Sequence, residues 1–454
     1  MTERQTGARR RGRLLAGAGA LAALALTLAA CGKADSTTSA GSSASPSFTA
    51  AAQNSSAPLT VWVDSTRLPG VQAYQKAHPR VKLNIVTYNG DANGSNYLQT
   101  KVELYNRAGS GWPDVVFTEN VNDLTWATEP GIDFAAPLSK GYVAASTLSG
   151  FATNALAPCS YGGSVYCLRN DLAQNVVWYN KKLLTRFGYQ VPTTWQQYEA
   201  LGKKVAAQHP GYIVGTVGDA WAPEVYFWAS QCPANQVTPP STLTADTASP
   251  DCTRMASLLD TLVKDKAVST DTVFSADFAK NTASKVLMLV GPSWYGQTLF
   301  HAAFKTPAGE IAAAPPLSWA GDSRTYTGDV GGGAWIVSAH SKNLKGAAAL
   351  ATWMATSPAY QATAGTYPAY KAAAAAWLTN QTRTGYFAND VTPAFTKAAG
   401  MVWPGWSATK FSQEAIWAST VVPALDQGKT ITSMLGSWQS AIKNQAQALG
   451  YTVK

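Results

Sequence analysis

The chain has 454 residues, a formal net charge of +9 and five cysteines. Part of the positive charge lies between Arg4 and Arg13, and the other Lys and Arg residues are scattered, so no basic block indicates nucleic-acid binding. The chain is too long for one hydrophobic core, and two domains are expected.

The N-terminal segment is typical of an export signal. Basic residues from Arg9 to Arg13 precede an apolar run over residues 14–30, which is short for a bilayer span. The run ends in Leu28-Ala29-Ala30-Cys31, which resembles the lipobox of bacterial lipoproteins, where the cysteine receives a diacylglycerol. This resemblance implies a lipoprotein signal peptide over residues 1–30 and a lipid anchor at Cys31, on the extracellular face of the cell membrane. An ordinary signal with an incidental cysteine is the alternative.

Residues 31–58 are mostly Ser, Thr, Ala and Gly, which predicts a flexible tether. An α/β pattern follows, with strands over 59–63, 81–87 and 113–117 and helices over 69–76 and 97–106. This alternation of strand and helix indicates a parallel sheet.

The pattern then restarts. Strands are predicted over 175–179, 285–290 and 334–337, and helices over 181–187 and 343–354. Thr193 and Gln196 fit a capping box that opens a helix to about residue 207. From residue 393 the chain is predicted to be mainly helical, with a break at 403–406.

Four cysteines remain after Cys31, and an exported protein can form disulfides. Three connectivities are open, and proximity in sequence favours Cys159–Cys167 and Cys232–Cys252. A zinc site is the alternative, but neither a CxxC motif nor paired histidines accompany these cysteines.

Several short motifs, in order along the chain, resemble the extracellular solute-binding proteins of ABC transporters, in the carbohydrate-binding, maltose-binding-type group (family 1). They lie at residues 59–64, 77–82, 113–117, 166–180, 192–195, 290–294, 331–335 (followed by 341–343) and 365–368. The short first loop, residues 64–70, and the pair Cys159 and Cys167 depart from that group.

The resemblance implies an α/β, two-lobed periplasmic-binding-protein-like fold with a hinge and an interlobe ligand cleft. The N-terminal lobe is expected over residues 59–170 plus 330–372, and the C-terminal lobe over 171–329 plus 373–454. The chain is expected to cross between them near 169–174, 329–333 and 371–380. Gly331, Gly332 and Gly333 are predicted to serve as a hinge, because glycine tolerates unusual backbone angles; a tight strand entry without motion is the alternative.

Catalytic and metal motifs are absent from the sequence: it has no HExxH motif, dinucleotide fingerprint or P-loop. The four histidines, at 78, 209, 301 and 340, lack metal-ligand spacing, so neither a metal nor a cofactor is expected. The chain is therefore predicted not to be an enzyme. A lipoprotein glycoside hydrolase is the alternative, with Glu119, Asp171, Glu224 and Glu414 as carboxylates that could converge.

The sequence predicts a monomeric receptor that hands a sugar or oligosaccharide to the permease subunits of an ABC importer. A sugar has apolar faces and a rim of hydroxyls, which suit aromatic rings and polar side chains. A non-sugar solute such as a polyamine is the other candidate ligand. The predicted contacts of the first lobe follow strand ends; they are Asp64, Ser65, Asp91, Glu119 and Asn122. Those of the second lobe are Gln174, Trp221, Glu224, Trp228, Trp294, Trp403 and Trp406.

Overall fold

The computed structural model describes residues 48–129, 131–238 and 241–454. The predicted signal peptide, Cys31 and most of the predicted tether lie outside the described residues. Among the residues that are described, no helix has both the length and the apolar character needed to span a bilayer.

The strands are short and are distributed over the whole described chain. In chain order they are β1 Leu59–Val63, β2 Leu83–Thr87, β3 Val115–Thr118, β4 Ser160–Tyr161, β5 Ser164–Val165, β6 Cys167–Arg169, β7 Asp171–Leu172, β8 Asn175–Asn180, β9 Gly215–Thr216, β10 Gln236–Thr238, β11 Thr242–Thr244, β12 Val268–Ser269, β13 Met288–Pro292, β14 Ile311–Ala314, β15 Ala334–Val337, β16 Tyr367–Pro368 and β17 Thr452–Val453.

The helices alternate with these strands and then dominate the C-terminal part. They are α1 Leu68–Ala77, α2 Tyr97–Ala108, α3 Val121–Trp126, α4 Ala145–Ser149, α5 Lys181–Phe187, α6 Trp195–Gln208, α7 Pro250–Lys264, α8 Leu344–Thr356, α9 Pro358–Gln361, α10 Lys371–Thr384, α11 Thr392–Ala399, α12 Gln413–Thr420, α13 Val422–Asp426 and α14 Ile431–Ala448. Turns of π-helix occur at Pro223–Phe227, Phe278–Thr282 and Tyr295–Ala303.

The first sheet has the order β2-β1-β3-β15-β6. Strand β1 runs parallel to β2 and β3, as the sequence predicts, whereas β15 runs antiparallel to β3 and β6. Both faces are covered: Val61 and Val63 of β1 pack into one apolar cluster, and Trp62 packs into another on the opposite face. This alternation follows from the two-residue period of a strand.

The second sheet centres on β8, which pairs antiparallel with β13 and β14. A third apolar cluster surrounds it and includes the fully buried Trp178. The three clusters therefore form two lobes, one around each sheet. Ala369 belongs to a cluster of the first lobe and Ala374 to that of the second, whereas Val330 and Tyr367 pack into the second-lobe cluster. The lobe boundaries at residues 330 and 372 stay a prediction.

Both favoured disulfides, Cys159–Cys167 and Cys232–Cys252, are present in the structure. The first closes the hairpin β4–β5, whose turn at Gly162–Gly163 has positive φ at both residues. The predicted pairing is confirmed.

The predicted capping box is displaced by one residue. Thr194, not Thr193, caps α6, and its Oγ1 accepts from the Gln197 amide at 3.1 Å. Gln197 reaches back to the Thr193 amide at 2.9 Å. Two successive threonines and two successive glutamines allow either register, and burial of Trp195 on the core side of α6 selects the later one.

The end of the predicted tether also differs, because residues 48–58 pack on the first lobe. The ring of Phe48 lies edge-on to Tyr142. The Gln53 side chain accepts from the Leu344 amide at 2.9 Å, which satisfies a free donor at the start of α8. The composition of the segment, rich in small residues, predicted a flexible tether and gave no indication that Phe48 and Gln53 anchor its end.

Candidate ligand-binding site

Two connected cavities lie between the lobes. The first has a volume of about 420 Å³ and the second about 660 Å³. Both are lined by Glu119, Asn120, Gly331 and Glu414, so they form one cleft. Glu119 and Asn120 directly follow β3, and loops after the carboxyl ends of parallel strands are where open α/β sheets bind ligands.

A buried arginine organises the first-lobe side of the cleft. Arg67 is 5% exposed and lies in the loop between β1 and α1. Its guanidinium is 2.7 Å from a carboxylate oxygen of Asp64, 2.7 Å from one of Glu119 and 3.5 Å from one of Asp171. It also lies 4.4 Å from the centre of the Phe117 ring. Burial alone would lower the pKa of Arg67, but the three carboxylates raise it above its usual value.

Glu119 belongs to this ion-pair network and also faces the cleft. Burial raises its pKa to about 7, while the attraction of Arg67 opposes the rise. A third of its side chain (34%) is exposed, so solvent screens these effects.

The first cavity contains an aromatic cluster. Trp294 lies 6.0 Å from Trp221 in an edge-to-face arrangement and is stacked 6.2 Å from Phe274. The indole nitrogen of Trp294 donates to the carbonyl of Val330 at 3.0 Å, next to Gly331. Phe274 is 45% exposed, which is unusual for so large an apolar side chain.

A second aromatic group lines the larger cavity. Trp228 and Trp406 stack with ring centres 5.4 Å apart and planes at 12°. The Trp228 indole donates to the carbonyl of Trp403 at 2.6 Å. This bond joins the loop at residues 403–406 to the end of the π-helical turn Pro223–Phe227.

Polar groups without a protein partner lie beside these rings. Asn122 and Glu224 are each 7% exposed, and Asn122 Nδ2 and Glu224 Oε2 are buried with no hydrogen bond to any described residue. Burial, followed by the charge of Glu414, raises the pKa of Glu224 well above its usual value. Burial, followed by the charge of Glu119, raises that of Glu414 to about 7. Buried polar groups are normally satisfied, so these atoms are suited to a ligand.

Most of the predicted contact residues line the cleft. They are Glu119, Asn122, Trp221, Glu224, Trp228, Trp294, Trp403 and Trp406. The cleft brings them together from both lobes, and their contact with a ligand stays a prediction.

Four predicted residues do not line either cavity. Asp91 is fully buried, and its carboxylate accepts from the amides of Tyr97 and Leu98, so it caps α2. Asp64 accepts from Arg67. Ser65 is exposed outside the cleft. Gln174 is buried at the lobe crossing, where it donates to the carbonyl of Phe395.

Sequence reasoning missed Arg67, Asn120, Phe274 and Gln413 as cleft residues. For Arg67 a signal existed, since it stands between Asp64 and the apolar start of α1. Glu414 and Asp171 were considered only as carboxylates of a hydrolase, and both line the cleft.

The predicted hinge glycines line the cleft directly before β15. Gly331 and Gly332 have φ of +85° and +78°, a conformation that L side chains rarely adopt. A Cβ at Gly332 would overlap Arg169 and one at Gly333 would overlap Phe117, whereas Gly331 has open space. These glycines are therefore required by backbone geometry and packing, and their role in motion stays a prediction.

The lobes also touch at the edge of the cleft away from the hinge. Lys410 Nζ lies 2.5 Å from a carboxylate oxygen of Glu129. Gly94 packs against Ser412, at the N-terminus of α12. These contacts join the two lobes across the cleft.

Among the described residues, no group of three or more His, Cys, Asp and Glu side chains is arranged to hold a metal ion. That the protein binds no cofactor remains a prediction from the sequence.

A family model for bacterial extracellular solute-binding proteins matches residues 56–362. The chain belongs to this family. A search of curated proteins gave no match for this solute-binding protein.

Solved structures share its fold. The galacto-N-biose-/lacto-N-biose I-binding protein of the ABC transporter from Bifidobacterium longum, in complex with lacto-N-biose, has a TM-score of 0.73 at 18% identity, over 88% of this chain and 100% of that one. An ABC transporter associated binding protein from B. animalis subsp. lactis, in complex with β-1,6-galactobiose, has a TM-score of 0.70 at 19% identity, over 87% of this chain and 99% of that one. The GacH receptor of Streptomyces glaucescens, solved unliganded and with acarbose, has a TM-score of 0.67 at 20% identity, over 87% of this chain and 100% of that one. The predicted two-lobed fold is confirmed.

Proposed function

We propose that this solute-binding protein takes up a sugar or oligosaccharide in its interlobe cleft and delivers it to an ABC importer. The observation that carries the proposal is a cleft lined by two groups of aromatic rings and by buried polar atoms that have no hydrogen-bond partner among the described residues. The stacked pair Trp228 and Trp406 and the cluster around Trp294 supply flat apolar surfaces. Asn122 and Glu224 supply a donor and an acceptor for hydroxyl groups.

The structural relatives support the same ligand class. Those from the two Bifidobacterium species are described with bound disaccharides, lacto-N-biose and β-1,6-galactobiose. Two aromatic surfaces in one cleft favour a ligand of more than one sugar ring, because each ring needs its own face.

Isothermal titration against a panel of mono- and oligosaccharides tests the ligand class. We expect micromolar or tighter binding to at least one oligosaccharide. Comparable binding to an amino acid, a polyamine or a metal ion, with none to sugars, would contradict the proposal.

The proposal includes an anchor at Cys31, partnership with permease subunits and a monomeric state. The Leu28-Ala29-Ala30-Cys31 sequence supports the anchor. Replacing Cys31 with Ser should release the exported protein from membranes into the medium, as measured by fractionation. Retention of the Cys31→Ser protein on membranes would refute the anchor.

A glycoside hydrolase is a second candidate, favoured by the raised pKa values of Glu224 and Glu414. A general acid requires such a shift, but its partner must stay ionised, and in this pair both values are raised. Incubation of the ligand found by titration with the protein, followed by mass spectrometry of the sugar, separates the two functions. Turnover that is lost in Glu224→Gln would establish the hydrolase.

A further inference from the structure

The second cavity contains two carboxyl groups that form no ion pair with any residue in the described part of the chain. Neither Glu224 nor Glu414 forms an ion pair or a side-chain hydrogen bond with any described residue. Glu224 is 93% buried and Glu414 is partly buried. Buried carboxyl groups in proteins are normally hydrogen-bonded or paired with a cation, so Glu224 is an exception that needs a cause.

The two arginines of the cleft are already engaged. Arg67 is shared by Glu119, Asp64 and Asp171, and Arg169 lies 3.2 Å from Asp329. Lys371 lines the rim, is exposed and forms no ion pair with a described residue. The excess of negative charge is therefore local to Glu224 and Glu414, although the chain as a whole is basic, at +9.

A further buried acceptor lines the same cavity. Gln413 is 4% exposed, and its Oε1 has no hydrogen-bond donor among the described residues. Its orientation is fixed, because its amide nitrogen donates to Asn235 Oδ1 at 3.0 Å and Asn235 in turn donates to the Ser407 carbonyl at 2.6 Å. The cavity thus offers three oxygen acceptor groups, from Glu224, Glu414 and Gln413.

An ammonium group matches this set, because it carries a positive charge and has up to three N–H donors and no acceptor. The rings of Trp228, Trp403 and Trp406 line the same cavity, and aromatic faces attract cations. A bound metal ion fits less well, since the described residues form no ligand cluster for one.

We propose that the saccharide bound by this protein carries a protonated amine, which sits between Glu224 and Glu414 and donates to Gln413. The inference rests on the proposed sugar-binding function and specifies the chemical class of the sugar. It gives the two carboxyls a counter-charge that no described residue provides within ion-pair distance. Burial raises the pKa of each carboxyl, and a bound cation would favour its ionised form.

Titration calorimetry with matched trisaccharides tests the inference. The probes are the β-1,4-linked glucosamine trimer, its N-acetylated form and the neutral glucose trimer of the same linkage. We expect the free-amine trimer to bind at least about tenfold more tightly than either neutral probe, as for a hydrogen-bonded charge. Its affinity should fall as salt rises.

Two variants complete the design. Glu224→Gln keeps the shape and removes the carboxylate, so the ratio of amine-trimer affinity to neutral-probe affinity should fall about tenfold or more. Glu103→Gln makes the same charge change at an exposed position on α2 outside the cleft, and should leave every affinity unchanged. Equal or tighter binding of a neutral trimer would overturn the amine inference and leave the sugar receptor intact. Binding of spermidine but of no saccharide would instead refute the proposed function.

Discussion

Replacing Arg67 with Met should destabilise the protein strongly, because three carboxylates would lose their common cation. Arg67 is 5% exposed and pairs with Asp64, Glu119 and Asp171 at 2.7, 2.7 and 3.5 Å. Removing one partner of a buried ion pair costs about 3–5 kcal/mol, since the remaining charge stays buried. Urea and thermal denaturation followed by circular dichroism measure the loss.

Arg254 provides a matched control. It also pairs with two carboxylates, of Asp251 and Asp322, and lies 4.5 Å from the centre of an aromatic ring, that of Trp319. Its side chain, however, is 26% exposed, against 7% for Arg67. Arg254→Met should therefore cost about 1 kcal/mol or less. Equal losses in the two variants would refute the reasoning, because burial is the feature that separates them.

The pH dependence of Arg67→Met gives a second measure. Burial raises the pKa of Glu119 to about 7 although Arg67 opposes the rise. Removing the Arg67 charge should therefore raise the pKa of Glu119 further. A carboxyl whose pKa is higher in the folded than in the unfolded state binds more protons when folded, so stability falls as pH rises between the two values. The difference from the unmodified protein should thus be largest at pH 7 or above and smaller near pH 4.5. A difference that grows on acidification would contradict the assignment.

Three further outcomes are expected. Trp294→Ala should weaken ligand binding, measured by calorimetry, by about 1–3 kcal/mol. Trp112→Ala, which lies outside the cleft, should leave the affinity unchanged. An unchanged affinity in folded Trp294→Ala protein would show that this ring does not stack on the ligand. Replacing both Cys232 and Cys252 with Ala should cost about 3 kcal/mol in denaturation, more than removing the other disulfide, which closes a shorter loop. Ligand should reduce the radius of gyration measured by X-ray scattering, and identical curves with and without ligand would exclude hinge closure. Lys410→Met removes an ion pair between the lobes and should increase the radius of gyration of the ligand-free protein.

The sequence was sufficient for the architecture because hydrophobic periodicity and turn residues are local signals. Strand β1 and helix α5 lie where the pattern places them, and both disulfides join neighbouring cysteines. The antiparallel insertion of β15 between β3 and β6 had no local signal, since it depends on a return of the chain from residue 334.

The candidate site was only partly predictable, and the errors share one physical origin. Asp91 and Glu119 both follow strands, yet one caps α2 and the other faces the cleft. Strand position specifies the edge of the sheet at which a side chain lies, whereas its hydrogen-bond partners depend on the tertiary neighbours. Loop tryptophans such as Trp228 and Trp406 were better predicted, because large rings in Gly- and Pro-rich loops have few local partners.

The buried ion pairs limit where the lobes could rotate. Arg169 bonds Asp329 and Arg67 bonds Asp171, so two crossing segments are tied to charged groups at their first-lobe ends. Gly332 is packed against the Arg169 guanidinium, and bending there would disturb that buried pair. Gly331 has a positive φ and open space around its Cβ position. If the lobes rotate about this triplet, the rotation should therefore concentrate at Gly331, directly beside the carbonyl of Val330 that accepts from Trp294. Such a placement would couple the backbone of the hinge to the aromatic surface on which we expect the ligand to stack.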